Sequence, residues 1–369
     1  MNIHINRIIK YVLCKYARCR EILLKNIHHA RIYYIKKLSS RTMNNCSGYK
    51  VVTGFDMEDY FSQVDVNYRD LTNPFQYYRE LVDKLENVQN LHIAPVSRLF
   101  DNKTNEARVI SLRHDVDADP ITAIRAARYL ASRSVAGSFF LLHTSLYYGS
   151  FHNGLFIRNS MLARWINDLI IAGCELGIHN DALGLIGTHQ INGVAALITE
   201  INWMRSLGAN IMGTVAHNSA PVYGAENYEI FRGKVLWGRE VKSDNGIKLP
   251  LSCINENDIG LIYEGTFARP IADVDIVEAE RYVKTPVHLT NPRNPEWMKT
   301  YLVDNPCVNW ATDIQFWLVG RDQWMIGGWP GNNALFESNV NLETVIKVIN
   351  ELPKSSRAII IVHPEYVRE

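Results

Sequence analysis

From residue 107 onward, short apolar runs alternate with segments of helical periodicity. This alternation predicts strand–helix units whose parallel strands form one sheet or barrel. Five of the predicted strands run directly into a histidine: His114, His143, His179, His217 and His363. The carboxyl ends of parallel strands meet at one edge, where such folds place their chemistry. We therefore expect these histidines to lie near one another.

The first of these strands ends in the sequence Arg-His-Asp-Val-Asp at 113–117, which places Asp115 and Asp117 at its carboxyl end. Asp119 and Pro120 follow, a capping residue and a residue suited to the first turn of a helix. The segment 121–131 then predicts that helix. Acidic residues thus occupy the loop of a strand–helix unit.

Imidazole together with carboxylate is a typical ligand set for a divalent metal such as zinc. A metal with an open position lowers the pKa of bound water and polarises a carbonyl. A second carboxylate could take a proton from that water, and a histidine could protonate a leaving amine. A single histidine after a strand is usually structural, so the repetition of this position is what favours a site.

Three segments resemble motifs of the polysaccharide deacetylase superfamily (NodB homology, carbohydrate esterase 4). They are Arg-His-Asp-Val-Asp at 113–117, Gly-Ile-His-Asn-Asp at 177–181 and Ile-Val-His-Pro at 361–364. The first matches the branch that reads RHDVD, a branch frequently associated with surface-polysaccharide biosynthesis. The resemblance covers about 107–365. It implies a distorted (β/α) barrel of about seven strands and metal-dependent removal of an acetyl group from an N-acetylated sugar.

By this resemblance, Asp115 matches the catalytic base and Asp117 matches the metal-ligating aspartate. His179 matches the first histidine of the family's His-x-x-x-His metal motif, and His363 matches the general acid. The implied cofactor is a divalent metal, most simply zinc, and the implied partner is a carbohydrate substrate.

The sequence departs from the family at the third ligand, because Leu183 stands where the second histidine belongs. His217 is the favoured substitute, since it also follows a predicted strand. Asp181 is the nearer rival on the loop after His179, whereas His189 is interpreted as part of a Gly/Thr loop.

The supporting residues are predicted less directly. The family's Arg-Pro-Pro-Tyr-Gly segment is only loosely matched at 217–224. The arginine that orients the base in the family is therefore unassigned here, and Arg269 is a candidate. Asp313, with Trp310 or Trp317, echoes an Asp/Trp motif. His114 is a further supporting candidate. Trp329 lies in a glycine-rich turn and could stack on a sugar, although packing is the more common role of a tryptophan.

The predicted domains are a basic helical extension at 1–45, a lead-in region at 46–106 that includes a helix at 73–85, and the barrel domain at 107–369. The extension has ten basic residues and one acidic residue, whereas the whole chain has a net charge of only +1. Its segment 1–42 fits a peripheral contact with anionic lipid or an acidic partner. The simpler interpretation, which we favour, is a basic extension that packs on its own protein or is partly disordered. The positive charge is the only feature that favours binding of nucleic acid, so we expect no nucleic-acid partner.

The six cysteines show no CxxC pair or zinc-finger spacing, which favours a reducing compartment. No run of 18 apolar residues and no secretory apolar region occur. We therefore expect a cytoplasmic protein, with membrane-peripheral placement through 1–42 as an alternative. The favoured function is a metal-dependent carbohydrate deacetylase. Its rivals are an inactive sugar-binding or scaffolding protein of the same fold and an amidohydrolase acting on a small non-sugar amide.

Overall fold

A computed structural model describes most of the chain after residue 47: residues 48–55, 68–100, 108–152, 154–217, 225–232, 242–243, 246–266, 312–328, 330 and 335–368. The predicted basic extension lies outside these residues, and so do Arg269, Trp310 and Trp329. What the sequence predicts for them stays a prediction.

The described residues form a mixed α/β structure. Its strands are β1 (Lys50–Phe55), β2 (Leu91–Ile93), β3 (Arg108–Val116), β4 (Ser138–Leu142), β5 (Gly149–His152), β6 (Leu155–Asn159), β7 (Glu175–Asn180), β8 (Ile211–Ala216), β9 (Tyr263–Glu264), β10 (Ile314–Gly320), β11 (Gln323–Gly328), β12 (Leu335–Val340) and β13 (Arg357–Val362). Its helices are α1 (Phe75–Glu86), α2 (Pro120–Ser132), α3 (Leu162–Ile171), α4 (Ala182–His189), α5 (Gly193–Ser206) and α6 (Leu342–Glu351).

The main sheet is parallel over most of its width, as the strand–helix alternation predicts. Its order is β12-β11-β10-β13-β3-β4-β7-β8-β9. Neighbours from β10 to β9 pair in parallel, and β11 and β12 continue antiparallel. β2 pairs in parallel with the first residues of β3, and β1, β6 and β5 form a separate small sheet. Among the described strands, this pairing does not join β9 to β12.

Local sequence explains the central elements. β3 is buried on both faces, which suits its run of apolar residues in the middle of a parallel sheet. Asp119 caps α2, since its side chain accepts the Thr122 N–H, and Pro120 occupies the first turn. Asn192 caps α5 in the same way. The predicted helices at 73–85 and 121–131 are confirmed as α1 and α2.

The segment around His189 corrects one expectation. His189 does not lie in a Gly/Thr loop but is the last residue of α4. Two glycines inside this eight-residue segment disfavour a helix. Burial of Leu183, Leu185 and Ile186 against the body of the protein overrides that local preference.

One apolar cluster receives side chains from both ends of the main sheet. Val215 of β8 and Tyr263 of β9 belong to it, and so do Trp317 of β10 and Met325 of β11. A flat sheet would keep these strands far apart, so the sheet must curl around the cluster. The side-chain amide of Gln315 in β10 also donates to the carbonyl oxygen of Thr266, just after β9, at 3.2 Å.

The region before β3 packs on the same body. The side-chain amide of Asn73 donates to the carbonyl oxygens of Gly320 and Tyr366, at 3.1 and 3.0 Å, and its oxygen accepts the N–H of Asp322 at 2.8 Å. Asn73 therefore ties the start of α1 to the β10–β11 turn and to the segment after β13. No helix in the described part of the chain is both long and apolar enough to cross a membrane.

Candidate metal centre

The inward face of β3 carries a buried ion pair. Side chains two residues apart in a strand point to the same face, and Arg113 binds Asp115 in this way. Its Nε and an Nη donate to the two carboxylate oxygens at 2.7 and 2.6 Å. Burial alone would raise the pKa of Asp115. The Arg113 guanidinium outweighs burial, assisted by His179 and His363, and holds that pKa well below its usual range.

Three side chains at the carboxyl ends of β3, β7 and β8 converge just beyond this pair. Asp117, His179 and His217 each offer one ligand atom, and these atoms all lie within 4.8 Å of one another. Oδ1 of Asp117 is buried and has no hydrogen-bond partner. Leaving buried polar atoms unpaired costs about 1–3 kcal/mol each, so this group is suited to a bound cation.

His179 is oriented by the neighbouring strand. Its Nδ1 donates to the carbonyl oxygen of Val215 at 3.0 Å, which leaves Nε2 with a free lone pair. Nε2 lies 3.4 Å from Oδ1 of Asp117 and 3.7 Å from Oδ2 of Asp115. Burial lowers the pKa of His179, which favours the neutral form that binds metals.

His217 lies almost perpendicular to His179, with ring centroids 5.1 Å apart and an angle of 82° between the planes. Its Nδ1 lies 3.6 Å from Oδ2 of Asp181. Burial opposes a charge on this ring, but Asp181 outweighs burial and raises the pKa of His217 to about 9. The metal-free group therefore holds a proton on His217.

His363 approaches Asp117 from β13, on the other side of β3. Its Nε2 lies 3.6 Å from Oδ2 of Asp117, and its buried Nδ1 has no hydrogen-bond partner. The ring packs at a tilt on Tyr366, with centroids 5.4 Å apart. Asp117 is thus flanked by His179 on one side and His363 on the other.

Glu365 is a buried carboxyl that the sequence interpretation did not single out. Only 1% of it is exposed, and its Oε2 has no hydrogen-bond partner. Burial raises the pKa of Glu365 well above its usual range, and the negative charges of Asp117, Asp119 and Asp115 add to that effect. Burial and the neighbouring negative charges therefore both favour the neutral form of this carboxyl.

Two of the five strand-end histidines belong neither to the ligand group nor to its flank at His363. His114 points to the opposite face of β3, where its ring stacks on Phe139 and its Nε2 accepts from the Tyr78 hydroxyl at 2.8 Å. His143 donates from Nδ1 to the carbonyl oxygen of His179 at 3.1 Å. Burial lowers the pKa of His114, to about 4, and that of His143. The two rings are neutral and buried, which fits structural roles.

Asp313 does not join the centre either. It stands directly before β10, at the amino end of that strand, and its Oδ2 accepts the backbone N–H of Arg357 at 2.6 Å. The centre lies at the carboxyl ends of the parallel strands, so Asp313 is at the opposite edge of the sheet. Arg269 and Trp329, the other predicted supporting residues, lie outside the described residues.

The arginine beside the base was missed by the sequence interpretation, although strand periodicity contained the signal. Arg113 and Asp115 are two residues apart in a predicted strand, so they share a face. Asn227 was also missed. Its side-chain amide donates to the carbonyl oxygen of His217 at 2.6 Å and to Oδ1 of Asp181 at 3.2 Å. It reaches the site from a distant loop, and no local pattern marks it.

The donor set fits a divalent cation. Two imidazoles and one carboxylate are a common ligand set of catalytic zinc, in which a fourth position stays open for water or substrate. The unpartnered Oδ1 of Asp117 and the hydrogen bond that fixes the tautomer of His179 support this assignment.

Fold and site together define an α/β protein with a candidate metal centre at the carboxyl ends of its parallel strands. No family model matches this chain, and neither the curated proteins nor the solved structures with which it was compared contain a match. The resemblance to polysaccharide deacetylases therefore rests on its three motifs alone.

Proposed function

We propose that this protein is a metal-dependent hydrolase that removes an acetyl group from an N-acetylated sugar. The observation that carries the proposal is the convergence of Asp117, His179 and His217 within 4.8 Å at the carboxyl ends of three parallel strands. The motif resemblance contributes the reaction and the substrate class. A carbohydrate in surface-polysaccharide biosynthesis is the substrate that this resemblance implies.

Asp117, His179 and His217 would hold the cation. Such a cation supplies Lewis acidity toward a carbonyl oxygen and toward water. The missing second histidine of the family motif was the main reason to consider an inactive protein. His217 offers a third ligand atom from the next strand, which supports the active alternative.

Asp115 is the proposed proton acceptor for the attacking water. The bidentate contact with Arg113 fixes the plane of its carboxylate, and its Oδ2 lies 3.7 Å from Nε2 of His179. Its low pKa keeps the carboxylate ionised at neutral pH, at the expense of basicity. Its contribution then depends on position and charge more than on intrinsic proton affinity.

His363 is the proposed proton donor to the leaving amine. It reaches the centre from the side of Asp117 opposite His179 and is partly open to solvent, which leaves the ring accessible to a substrate.

The finer statement about the fold is also a proposal. We propose that the curled sheet is a distorted (β/α) barrel whose seven parallel strands run from β9 to β10. The cluster shared by Val215, Tyr263, Trp317 and Met325 supports closure, as does the Gln315–Thr266 hydrogen bond. A cytoplasmic location, with a peripheral membrane contact through 1–42, remains part of this proposal.

Metal content of the purified protein tests the centre directly. Elemental mass spectrometry after zinc reconstitution should give about one equivalent, and both Asp117→Ala and His217→Ala should lose it. His92→Ala is the matched control, because His92 is an exposed histidine of β2 and should leave the metal in place. Absence of metal from the wild-type protein would rule out the proposed function.

Acetate release then tests the reaction. N-acetylhexosamine oligomers and simple N-acetyl amides, supplied separately, should show hydrolysis of the sugars alone. Asp115→Asn should lose turnover but keep the metal. Retained turnover in Asp115→Asn would refute its assignment, and hydrolysis of the simple amides alone would favour a non-sugar amidohydrolase.

A further inference from the structure

We propose that Asp181 is a positioning residue that aims His217 at the metal, and that Asn227 holds Asp181 and His217 together. This inference rests on the proposed metal centre. It assigns Asp181 to the surroundings of the metal, in contact with a ligand, and not to the ligand set.

The side chain of His217 faces Asp181 with one ring nitrogen. The distance from its Nδ1 to Oδ2 of Asp181 is 3.6 Å, and Nδ1 is buried without a hydrogen-bond partner. Histidine ligands in proteins commonly donate their second ring N–H to a carboxylate, which fixes the tautomer and the ring orientation. A shift of a few tenths of an ångström would complete that hydrogen bond and commit the other ring nitrogen to the metal.

The carboxylate of Asp181 is itself fixed at both oxygens. The Thr144 hydroxyl donates to Oδ2 at 2.7 Å, and the Asn227 amide donates to Oδ1 at 3.2 Å. Asp181 is 8% exposed. A carboxylate restrained in this way presents one oxygen to His217 in a constant direction, as a positioning role requires.

Asn227 also fixes the main chain of His217. Its amide donates to the carbonyl oxygen of His217 at 2.6 Å, while the N–H of His217 donates to the carbonyl oxygen of Asn180 at 2.8 Å. The oxygen of the Asn227 side chain accepts the N–H of Leu183 at 2.7 Å. One side chain therefore links the third ligand to the loop after β7. The resembling family motif has its second histidine four residues after the first, and here Leu183 stands in that position.

The test is zinc affinity, measured by competition with a chromophoric chelator, in Asp181→Ala, Asp181→Asn and Asn227→Asp. Loss of the contacts around a metal-binding histidine typically weakens affinity by about 10–100-fold. We expect that loss in Asp181→Ala, a smaller loss in Asp181→Asn, which keeps an acceptor oxygen, and a loss in Asn227→Asp, which keeps the acceptor for Leu183. All three should still bind one equivalent at saturating zinc.

The visible absorption spectrum of bound cobalt(II) distinguishes a positioning residue from a metal ligand. At saturation, the Asp181 variants should keep the wild-type positions of the visible absorption bands, because the ligand set is unchanged. Glu200→Gln is the matched control: it neutralises a fully buried carboxylate that accepts hydrogen bonds from Arg158, so it should lower the melting temperature but leave zinc affinity within about threefold.

Each contrary result has a definite meaning. Loss of stoichiometric binding in Asp181→Ala, to the level of Asp117→Ala, would make Asp181 a ligand and overturn the inference. Affinity unchanged within about threefold in both Asp181→Ala and Asn227→Asp would overturn it as well. A wild-type protein that binds no metal would remove the proposed function and this inference together. Metal binding without acetate release would leave the inference supported by the affinities and refute only the proposed reaction.

Discussion

Replacing Arg113 by Met should destabilise the protein strongly, because it leaves the buried carboxylate of Asp115 without its partner. Both side chains of the pair are 4% exposed. Removing one member of a buried ion pair costs about 3–5 kcal/mol. The methionine retains most of the apolar stem of the arginine, so the loss reports the guanidinium and not a cavity.

The lower part of that range applies here. The change removes the hydrogen bonds of 2.7 and 2.6 Å, but in the metal-free protein the protonated ring of His217 still attracts the Asp115 carboxylate and keeps part of the favourable field. We expect a loss of about 3 kcal/mol at pH 7.5. With a urea dependence of about 2 kcal/mol per molar, the unfolding midpoint falls by about 1.5 M.

The loss of stability in Arg113→Met should depend on pH in a definite direction. In the wild-type protein the pKa of Asp115 is held low, so its stabilising contribution is present above the unfolded pKa of about 3.9 and is lost as the pH falls through the folded pKa. In Arg113→Met, burial is opposed far less and the pKa of Asp115 rises. The carboxyl then takes up a proton in mildly acidic solution, and the difference in stability should be smaller at pH 5 than at pH 7.5.

Equilibrium unfolding in urea, with EDTA present, measures both quantities. Arg128→Met is the matched control, because Arg128 is exposed and lies 3.4 Å from Asp168, and such a pair contributes about 0–1 kcal/mol. Adding Asp115→Asn to Arg113→Met should recover part of the loss. A loss under about 1 kcal/mol, or equal losses at pH 5 and 7.5, would refute the reasoning.

Three further predictions follow from the same region. Zinc affinity should rise about tenfold per pH unit up to about pH 9 and then level off, because His217 must release its proton to bind; a flat profile in competition titrations would contradict this. In the metal-free protein, the raised pKa of Glu365 makes the stability of the wild type fall as the pH rises above about 4.3, by up to about 1.4 kcal/mol per pH unit. Glu365→Gln lacks this loss and should therefore become more stable relative to the wild type as the pH rises. Parallel pH profiles of the two proteins in urea unfolding would exclude this. Gly177→Ala should cost about 1–3 kcal/mol in the same assay, because its Cβ would meet the Phe140 ring and lie 2.7 Å from the carbonyl oxygen of Gly213; an effect no larger than that of Gly48→Ala, where the space is open, would contradict this.

Local patterns predicted most of the central sheet, because strand and helix periodicities are properties of neighbouring residues. β3, β4, β7, β8 and β13 lie where the apolar runs indicated. The choice of third ligand could not be made in that way. The order of residues along the chain allows His217, Asp181 or His189 to be the third ligand. Only the parallel register of β7 and β8, in which His179 pairs with Val215, brings His217 to the group.

The residues that the sequence interpretation placed differently or missed also have physical explanations. Successive side chains of β3 point to opposite faces of the sheet, so His114 points away from Asp115. This orientation could have been predicted from the sequence. Placing Asp313 required the knowledge that β10 begins directly after it, and the sequence interpretation singled out no strand at 314–320. Nothing local distinguishes Asn227 or Glu365, since their roles arise from contacts with segments far away in the chain.

β13 is the last of these strands in chain order, yet it lies between β3 and β10 in the middle of the sheet. During synthesis, β3 and β10 each present an unpaired edge until residues 357–362 have emerged. Exposed edges of this kind invite pairing with other chains, and long-range parallel pairing is slow to form. The nascent protein therefore depends on its final strand both to seal the sheet and to deliver His363. A chain interrupted before that strand lacks the proposed proton donor and is also prone to aggregation.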